Sequence, residues 1–243
     1  MSQTPEICLR YFDCRGRAQF LRAYFAARDI EFEDERVPLD EGFATWQGMR
    51  GNRALTGPLQ RLPVLHYGDE LIPEALVIAA FVHRQFGDAA ALDADANLRH
   101  DVLLSACYLD LMTPTALLIW ADMLLEGVNV AAFARSTLSR LNGTLEVIDK
   151  SLDEWAWLDG MRKRPVTLAD CSLWEELDRQ QKILGSRLSL VDKPRLAAFY
   201  EEHPARETFE GLLAAHPCQI TGRPNEPAAI EAIHGFLEDA EAA

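Results

Sequence analysis

The sequence predicts two units of different class, a small α/β domain over residues 1–87 followed by an all-helical domain over residues 88–243. Strand-like and helix-like patterns alternate up to Gly87, and strand-like alternation is absent beyond it. The charge changes at the same place. Residues 1–87 hold ten Arg, no Lys and twelve acidic residues, a net of −2, whereas the remainder holds fourteen basic and twenty-six acidic residues, a net of −12. An acidic, Ala-rich connector, DAAALDADAN, marks the join.

"ICLRYF" (7–12) reads as a short strand. From Arg17, Ala18, Leu21, Tyr24 and Phe25 fall on one face of a helix, and "IEFEDERV" (30–37) alternates apolar residues with acids as a second strand. A loop rich in Gly and Arg follows, then two apolar runs parted by Gly68-Asp69, a hairpin signal. Pro73 is expected to open a helix that stops at Gly87. Helical spacing then dominates residues 98–126, 130–154 and 168–184, with shorter pieces to about 215. The order is βαβ, ββα, then helices.

Composition excludes several classes of function. A net charge of −14 argues against nucleic acid and anionic membrane as partners, since both require a basic footprint. No apolar run is expected to reach the roughly 18 residues of a membrane span, and the start "MSQTPEICLRYF" lacks the pattern of a secretory leader, so a cytoplasmic protein is expected. Five scattered cysteines without a CxxC pair fit reduced thiols and neither a disulfide framework nor a zinc site.

Three segments, "LRYFDCRGRAQFLRAYFAARDIEFEDERV", "LPVLHYGDELIPEALVIAAFVHRQFG" and "PVTLADCSLWEEL", resemble in order and spacing the cytosolic glutathione transferases of the tyrosine type, the group of the sigma, mu, pi and alpha classes. The resemblance implies a thioredoxin-like domain, a helical domain, a homodimer, glutathione as co-substrate without a metal, and a small apolar electrophile. It places the thiolate-stabilising hydroxyl on Tyr11, supported by Arg17. It assigns Trp46 and Arg50 to the glycine carboxylate of glutathione and sets Arg61, two before Pro63, where the pattern has a lysine or glutamine, although the chain between Trp46 and Arg61 is a few residues longer than the sigma pattern. Leu62 would present its main chain to the cysteinyl unit ahead of a cis Pro63. Glu74 and Ala75 stand where the family has Gln-Ser or Glu-Ser, so the hydroxyl that would hold the γ-glutamyl carboxylate is missing.

A dicarboxylate peptide requires cations, which gives the arginines of residues 9–29 a rationale. Arg10, Arg22 and Arg28 read as solvated charges. Cys14 has two readings: a nucleophile activated by the start of the first helix, which would make a thiol-disulfide oxidoreductase, or a buried structural thiol as the tyrosine-type pattern implies. A third reading of the chain is a non-catalytic binding protein that keeps the fold. In "YLDLMTPTALLIW", Tyr108, Met112, Thr115 and Leu118 are candidates for the electrophile pocket. The segment after residue 216 has helical spacing at Ile230, Ile233 and Phe236/Leu237, and could lid the site, pack on a dimer partner or fray.

"RPVTLADCSLWEEL" reads as a capping box, with Thr167 as N-cap, Asp170 three residues on and Val166 before the cap. Thr167→Ala is therefore expected to lower stability by about 1 kcal/mol; an unchanged thermal midpoint would refute the placement.

Overall fold

A computed structural model describes residues 5–86, 92–124, 129–223 and 225–242. Strand β1 (Ile7–Phe12) leads to helix α1 (Gln19–Ala27) and strand β2 (Glu33–Val37). Short helices α2 (Ala44–Met49) and α3 (Arg53–Thr56) precede the hairpin β3 (Val64–Tyr67) and β4 (Glu70–Pro73), and α4 (Ala75–Gln85) closes the first unit. The sheet order is β2-β1-β3-β4, with β1 parallel to β2 and antiparallel to β3. Central β1 places Leu9 opposite Leu65, both fully buried. This is the thioredoxin-like βαβ-ββα arrangement.

Two boundaries differ from the sequence reading. Asp29 adopts a left-handed φ of 51° and the Ile30 N–H donates to the Phe25 carbonyl, a helix-ending turn that consumes residues 30–32 before β2 can start. Pro73 ends β4 instead of opening α4, because it pairs with Val64 on the edge strand, where a missing N–H is tolerated. The expected helix end at Gly87 and most of the connector lie outside the described residues.

The helical unit comprises α5 (Ala94–Ala106), α6 (Thr113–Ile119), α7 (Ala121–Leu124), α8 (Val130–Glu154), α9 (Trp157–Met161), α10 (Leu168–Leu184), α11 (Pro194–Glu202), α12 (Arg206–Ala215) and α13 (Glu226–Ala242). The single helix expected over residues 98–126 is interrupted. A π turn at Cys107–Met112 joins α5 to α6. Pro114 has no N–H to return to the carbonyl of Asp110, so the regular ladder fails there and the chain widens. The run Ala94–Ile119, with a mean hydropathy of 1.7 over its most apolar window, is long and apolar enough to cross a membrane, which corrects the expectation that no such run exists; 56% of that window is buried inside the fold.

Helix α10 forms the axis of the structure. It packs on α1 and on α5, burying Leu173, Trp174 and Leu177. Buried carboxylates on the same helix are each paired. Glu175 and Asp178 take Arg15 from the first unit, and Asp178 also accepts from the Tyr200 hydroxyl at 2.8 Å. Helix α13 packs on α8 with Ile233 and Leu237 fully buried, so the C-terminal segment is neither frayed nor, over this helix, a lid.

The capping box of α10 is present. The Thr167 N–H donates to Asp170 at 2.9 Å while the Thr167 hydroxyl accepts from the Asp170 N–H at 3.3 Å. Asp170 does more than cap, for it also accepts from Trp157 Nε1 at 2.9 Å and from both Arg164 Nη atoms. Burial pushes its carboxyl up, but the neighbouring His203 and Arg164 overcome this and hold it far below the usual carboxylate range. Asp170→Ala is thus expected to cost more than Thr167→Ala, roughly 3–5 kcal/mol as for one half of a buried pair. Because the folded carboxyl titrates below its unfolded value of about 3.9, its contribution is complete above that pH and is lost as the solution is acidified beneath it. Urea denaturation between pH 5 and pH 2, ranges chosen around these values, should show a shallower decline for Asp170→Asn than for the unaltered chain; equal slopes would overturn the assignment.

Candidate active site

The loop from Phe12 to Ala18 builds the site. Tyr11, near the end of central β1, is 6% exposed, and its hydroxyl accepts the Arg17 N–H at 3.0 Å. Gly16 makes this possible: at a φ of 34°, any Cβ there would sit 2.6 Å from the Tyr11 oxygen. Burial pushes the Tyr11 phenol well above its ordinary range, with a smaller upward contribution from Cys14 and opposing ones from Arg17. The group is a protonated hydroxyl whose hydrogen is available to an acceptor.

The Arg17 guanidinium acts on Tyr11 through its charge and hydrogen-bonds a second tyrosine. Its Nη1 donates to the Tyr108 hydroxyl at 2.7 Å, and its central carbon lies 5.5 Å from the centre of that ring. Tyr108 is also kept protonated, by burial against the pull of Arg17, and Glu74 adds to the upward shift. Tyr11, Arg17, Tyr108 and Glu74 thus form one polar neighbourhood. Tyr108, a pocket candidate by sequence, is not among the residues lining the cavity described below; from within the π turn it holds Arg17 instead, a pairing that no sequence signal gave.

Beside this group opens a cavity of about 300 Å³. Phe12, Leu39 and Phe43 from the first unit face Met112, Ala116, Leu117, Ile119 and Trp120 from the second, with Tyr11, Cys14 and Arg17 at the shared edge. Met112 is therefore a lining residue as expected. Thr115 and Leu118 are not: both are fully buried in the core, and the Thr115 hydroxyl is spent on the Leu111 carbonyl at 2.8 Å. The π turn shifts the helical phase, so their neighbours Ala116 and Leu117 face the cavity instead.

The charges assigned to solvent are internal. Arg22 is fully buried, donating to the Cys14 carbonyl at 2.9 Å and to Asp34 at 2.9 Å. Arg10 is 7% exposed and bonds the Leu55 carbonyl at 2.7 Å and Glu35 at 2.5 Å. Arg28 is half-buried, donating to the Val166 carbonyl of the helical unit. Of the arginines in residues 9–29, Arg17 lines the cavity and the others hold the fold.

The remaining sequence candidates are placed as follows. Trp46 on α2 packs edge-on against Phe12, 5.4 Å between ring centres. Arg50 and Arg61 are exposed, and buried Thr56 ties their segments together by accepting the Arg61 N–H at its carbonyl and donating its hydroxyl to the Arg50 carbonyl. None of Trp46, Arg50 and Arg61 lines the cavity. The Leu62–Pro63 bond is cis, with Leu62 half-buried. Glu74 holds a φ of 72°, an uncommon value for a side-chain-bearing residue, and the buried Ala75 begins α4.

Cys14 is 4% exposed, and burial pushes its thiol up to about 12, against the lowering contribution of Arg22. Burial supports the structural reading of this thiol over the activated nucleophile. Its burial comes from a strap after α12, the opening part of the segment beyond residue 216 for which the sequence offered a lid as one reading. The Arg15 N–H donates to the Gln219 carbonyl at 2.8 Å, Cys14 forms an isolated bridge with Gln219, and Thr221 and Gly222 complete the cavity wall. Arg223 fastens the strap, donating to the Ile119 carbonyl and Asp122 and lying 5.6 Å over Trp120. Among the described residues no group of three His, Cys, Asp or Glu is placed to hold a metal ion.

The two units and the site at their junction define the glutathione transferase fold, which the solved structures of that group share. A sigma-class glutathione transferase of Fasciola hepatica matches 90% of this chain and all of its own length with a TM-score of 0.67 at 19% identity. The pi-class enzyme of Onchocerca volvulus covers 86% of this chain and 93% of its own, with a TM-score of 0.66 at 21% identity. By sequence, the chain is 33% identical over 107 residues to S-crystallin 2 of Octopus vulgaris, which spans about half (46%) of that protein. It is 27% identical over 214 residues to hematopoietic prostaglandin D synthase of Gallus gallus, covering 88% of this chain and 98% of that one. No protein-family profile matches the chain.

A thiol so buried should resist modification. Iodoacetamide at neutral pH is expected to leave Cys14 unmodified in the folded protein and to label it in urea, as read by peptide mass spectrometry; labelling at the native-state rate of an exposed thiol would restore the nucleophile reading.

Proposed function

We propose that this chain is a glutathione transferase whose Tyr11 hydroxyl stabilises the thiolate of bound glutathione for attack on an apolar electrophile in the adjacent cavity. The observation that carries the reading is the Tyr11 hydroxyl itself, buried at the edge of the cavity, fixed by the Arg17 N–H and kept protonated. A protonated donor is what a developing thiolate requires. The glutathione thiol gives its proton to solvent and the sulfur lone pair forms the new C–S bond. The leaving group departs with its electron pair, or the neighbouring carbon takes up a proton. Holding a thiol one to two units below its free value of about 8.5 calls for roughly 1.4–2.7 kcal/mol of preferential thiolate stabilisation. A charge-assisted hydrogen bond in a water-poor setting, with Arg17 nearby, is of that order.

In this reading the glutathione backbone pairs with Leu62 at the cis bond, its α-ammonium meets Glu74, and Trp46, Arg50 and Arg61 take the glycine carboxylate from outside the cavity. The first unit ends at residue 87 and the protein works in the cytoplasm as a homodimer. Exposed apolar residues Leu98 and Val102 on α5, with Leu109 beyond, support a protein-covered face there.

Calorimetric titration with reduced glutathione tests the reading at its base: binding at millimolar Kd or tighter is expected, and no heat from a folded sample would favour a non-catalytic protein of the same fold. Ala75→Ser restores the missing hydroxyl and is expected to tighten glutathione about ten- to a hundredfold, the equivalent of one hydrogen bond to a charged group at roughly 1.5–3 kcal/mol. Tyr11→Phe should lower kcat/KM for a chlorodinitrobenzene-type acceptor by about 10²–10³ and move the rising limb of its pH profile upward. A profile unchanged by Tyr11→Phe would remove Tyr11 from the chemistry.

A further inference from the structure

The charge of the cavity specifies more than an apolar electrophile. In a protein of net charge −14, its lining includes two guanidinium groups, Arg17 and Arg179, and no carboxylate among the described residues. Arg17 belongs to the Tyr11 neighbourhood. Arg179 belongs to α10 and has no part in the chemistry outlined above.

Arg179 is 2% exposed. A guanidinium has five N–H donors. Nη2 donates to Glu176 at 2.8 Å, and Nε has no partner at all. Glu176 is itself shared, since the Gln180 amide donates to the same oxygen at 3.2 Å. The other two carboxylates on this stretch of α10 do not bind Arg179, because Arg15 engages Glu175 through two nitrogens and Asp178 through a third. The cavity wall carries no anionic acceptor: beyond apolar side chains such as Phe12, Leu39 and Ile119 it offers the hydroxyls of Tyr11, Thr113 and Thr221 and the Cys14 thiol, and none of these is bonded to Arg179. A buried cation with spare donors, facing an apolar chamber, is a site prepared for an acceptor that arrives with the ligand.

We propose that the second substrate carries an anionic oxygen group, a carboxylate or sulfonate, on an apolar body, and that Arg179 binds that group while the reactive carbon lies toward Tyr11. The inference rests on reading the cavity as the acceptor site. It is tested by binding alone, so that its failure is distinct from a failure of glutathione chemistry.

Two fluorescent probes share a body and differ in charge: 8-anilinonaphthalene-1-sulfonate and neutral N-phenyl-1-naphthylamine. Without glutathione, the folded protein is expected to bind the sulfonate at least tenfold tighter. Arg179→Met should abolish that preference while retaining the neutral probe, and Arg179→Lys should keep part of it. Should Arg179→Met unfold by circular dichroism, the double variant R179M/E176Q removes the ion pair together and carries the same expectation. Absence of sulfonate binding, equal affinity for the two probes, or a preference that survives loss of Arg179 would each show that Arg179 serves only as the counter-charge of Glu176.

Discussion

The buried pairing of Arg15 with Glu175 and Asp178 is the constraint on which the rest of the structure depends. It joins the loop after β1 to the central helix of the other unit, with Arg15 and both carboxylate side chains at most 6% exposed. Burial alone would favour the neutral forms, and it does raise Glu175; Asp178, by contrast, is lowered despite burial because Arg15, Lys182 and Tyr200 all act on it. Such a pair contributes little net stability compared with an apolar substitute, but removing one member leaves a charge stranded in the core. Its role is to fix position. With Arg15 locked, the residues on either side have no freedom: Cys14 turns inward, Gly16 passes under the Tyr11 hydroxyl, and the Arg17 N–H comes to rest 3.0 Å from that oxygen.

Positive charge in the first loop therefore has a structural purpose before a chemical one. Arg10, Arg15 and Arg22 satisfy carbonyls and carboxylates around the strand end, which lets Tyr11 sit in a dry environment without any charge of its own. A phenol so placed is a hydrogen-bond donor at every physiological pH. The cavity edge thus presents a neutral donor in low dielectric, where one hydrogen bond to an anion would count for more than several exposed cations.

Periodicity and turn chemistry made the fold legible. The Gly68-Asp69 hairpin, the capping box at Thr167 and Asp170, and the cis Leu62–Pro63 bond implied by resemblance all stand where the sequence placed them. What could not be read was pairing across long separations. Arginines look alike in a sequence, and whether one meets solvent or a carboxylate 160 residues away depends on packing that local patterns do not encode. The same limit hid Arg179 and the pairing of Tyr108 with Arg17. The phase change at the π turn moved the lining from Thr115 and Leu118 to their neighbours, an effect of Pro114 that helical spacing treats as continuous. The segment after residue 216 stood with three readings open, and the sequence could not choose the closing strap at 219–222 because it binds through main-chain atoms, which leave no compositional trace.

That strap sets an order of events during synthesis. A nascent chain forms its early elements as they emerge, and the first unit has its own sheet and helices. Yet Arg15 has no counter-charge until α10 has been made, and the cavity has no closing wall until Thr221 and Gly222 arrive more than thirty residues later. The early half must wait with a cation beside its active loop, open to water and to any acidic surface nearby. The last part of the site to be translated is thus the part that shuts it, and a competent cavity is a property of the finished chain.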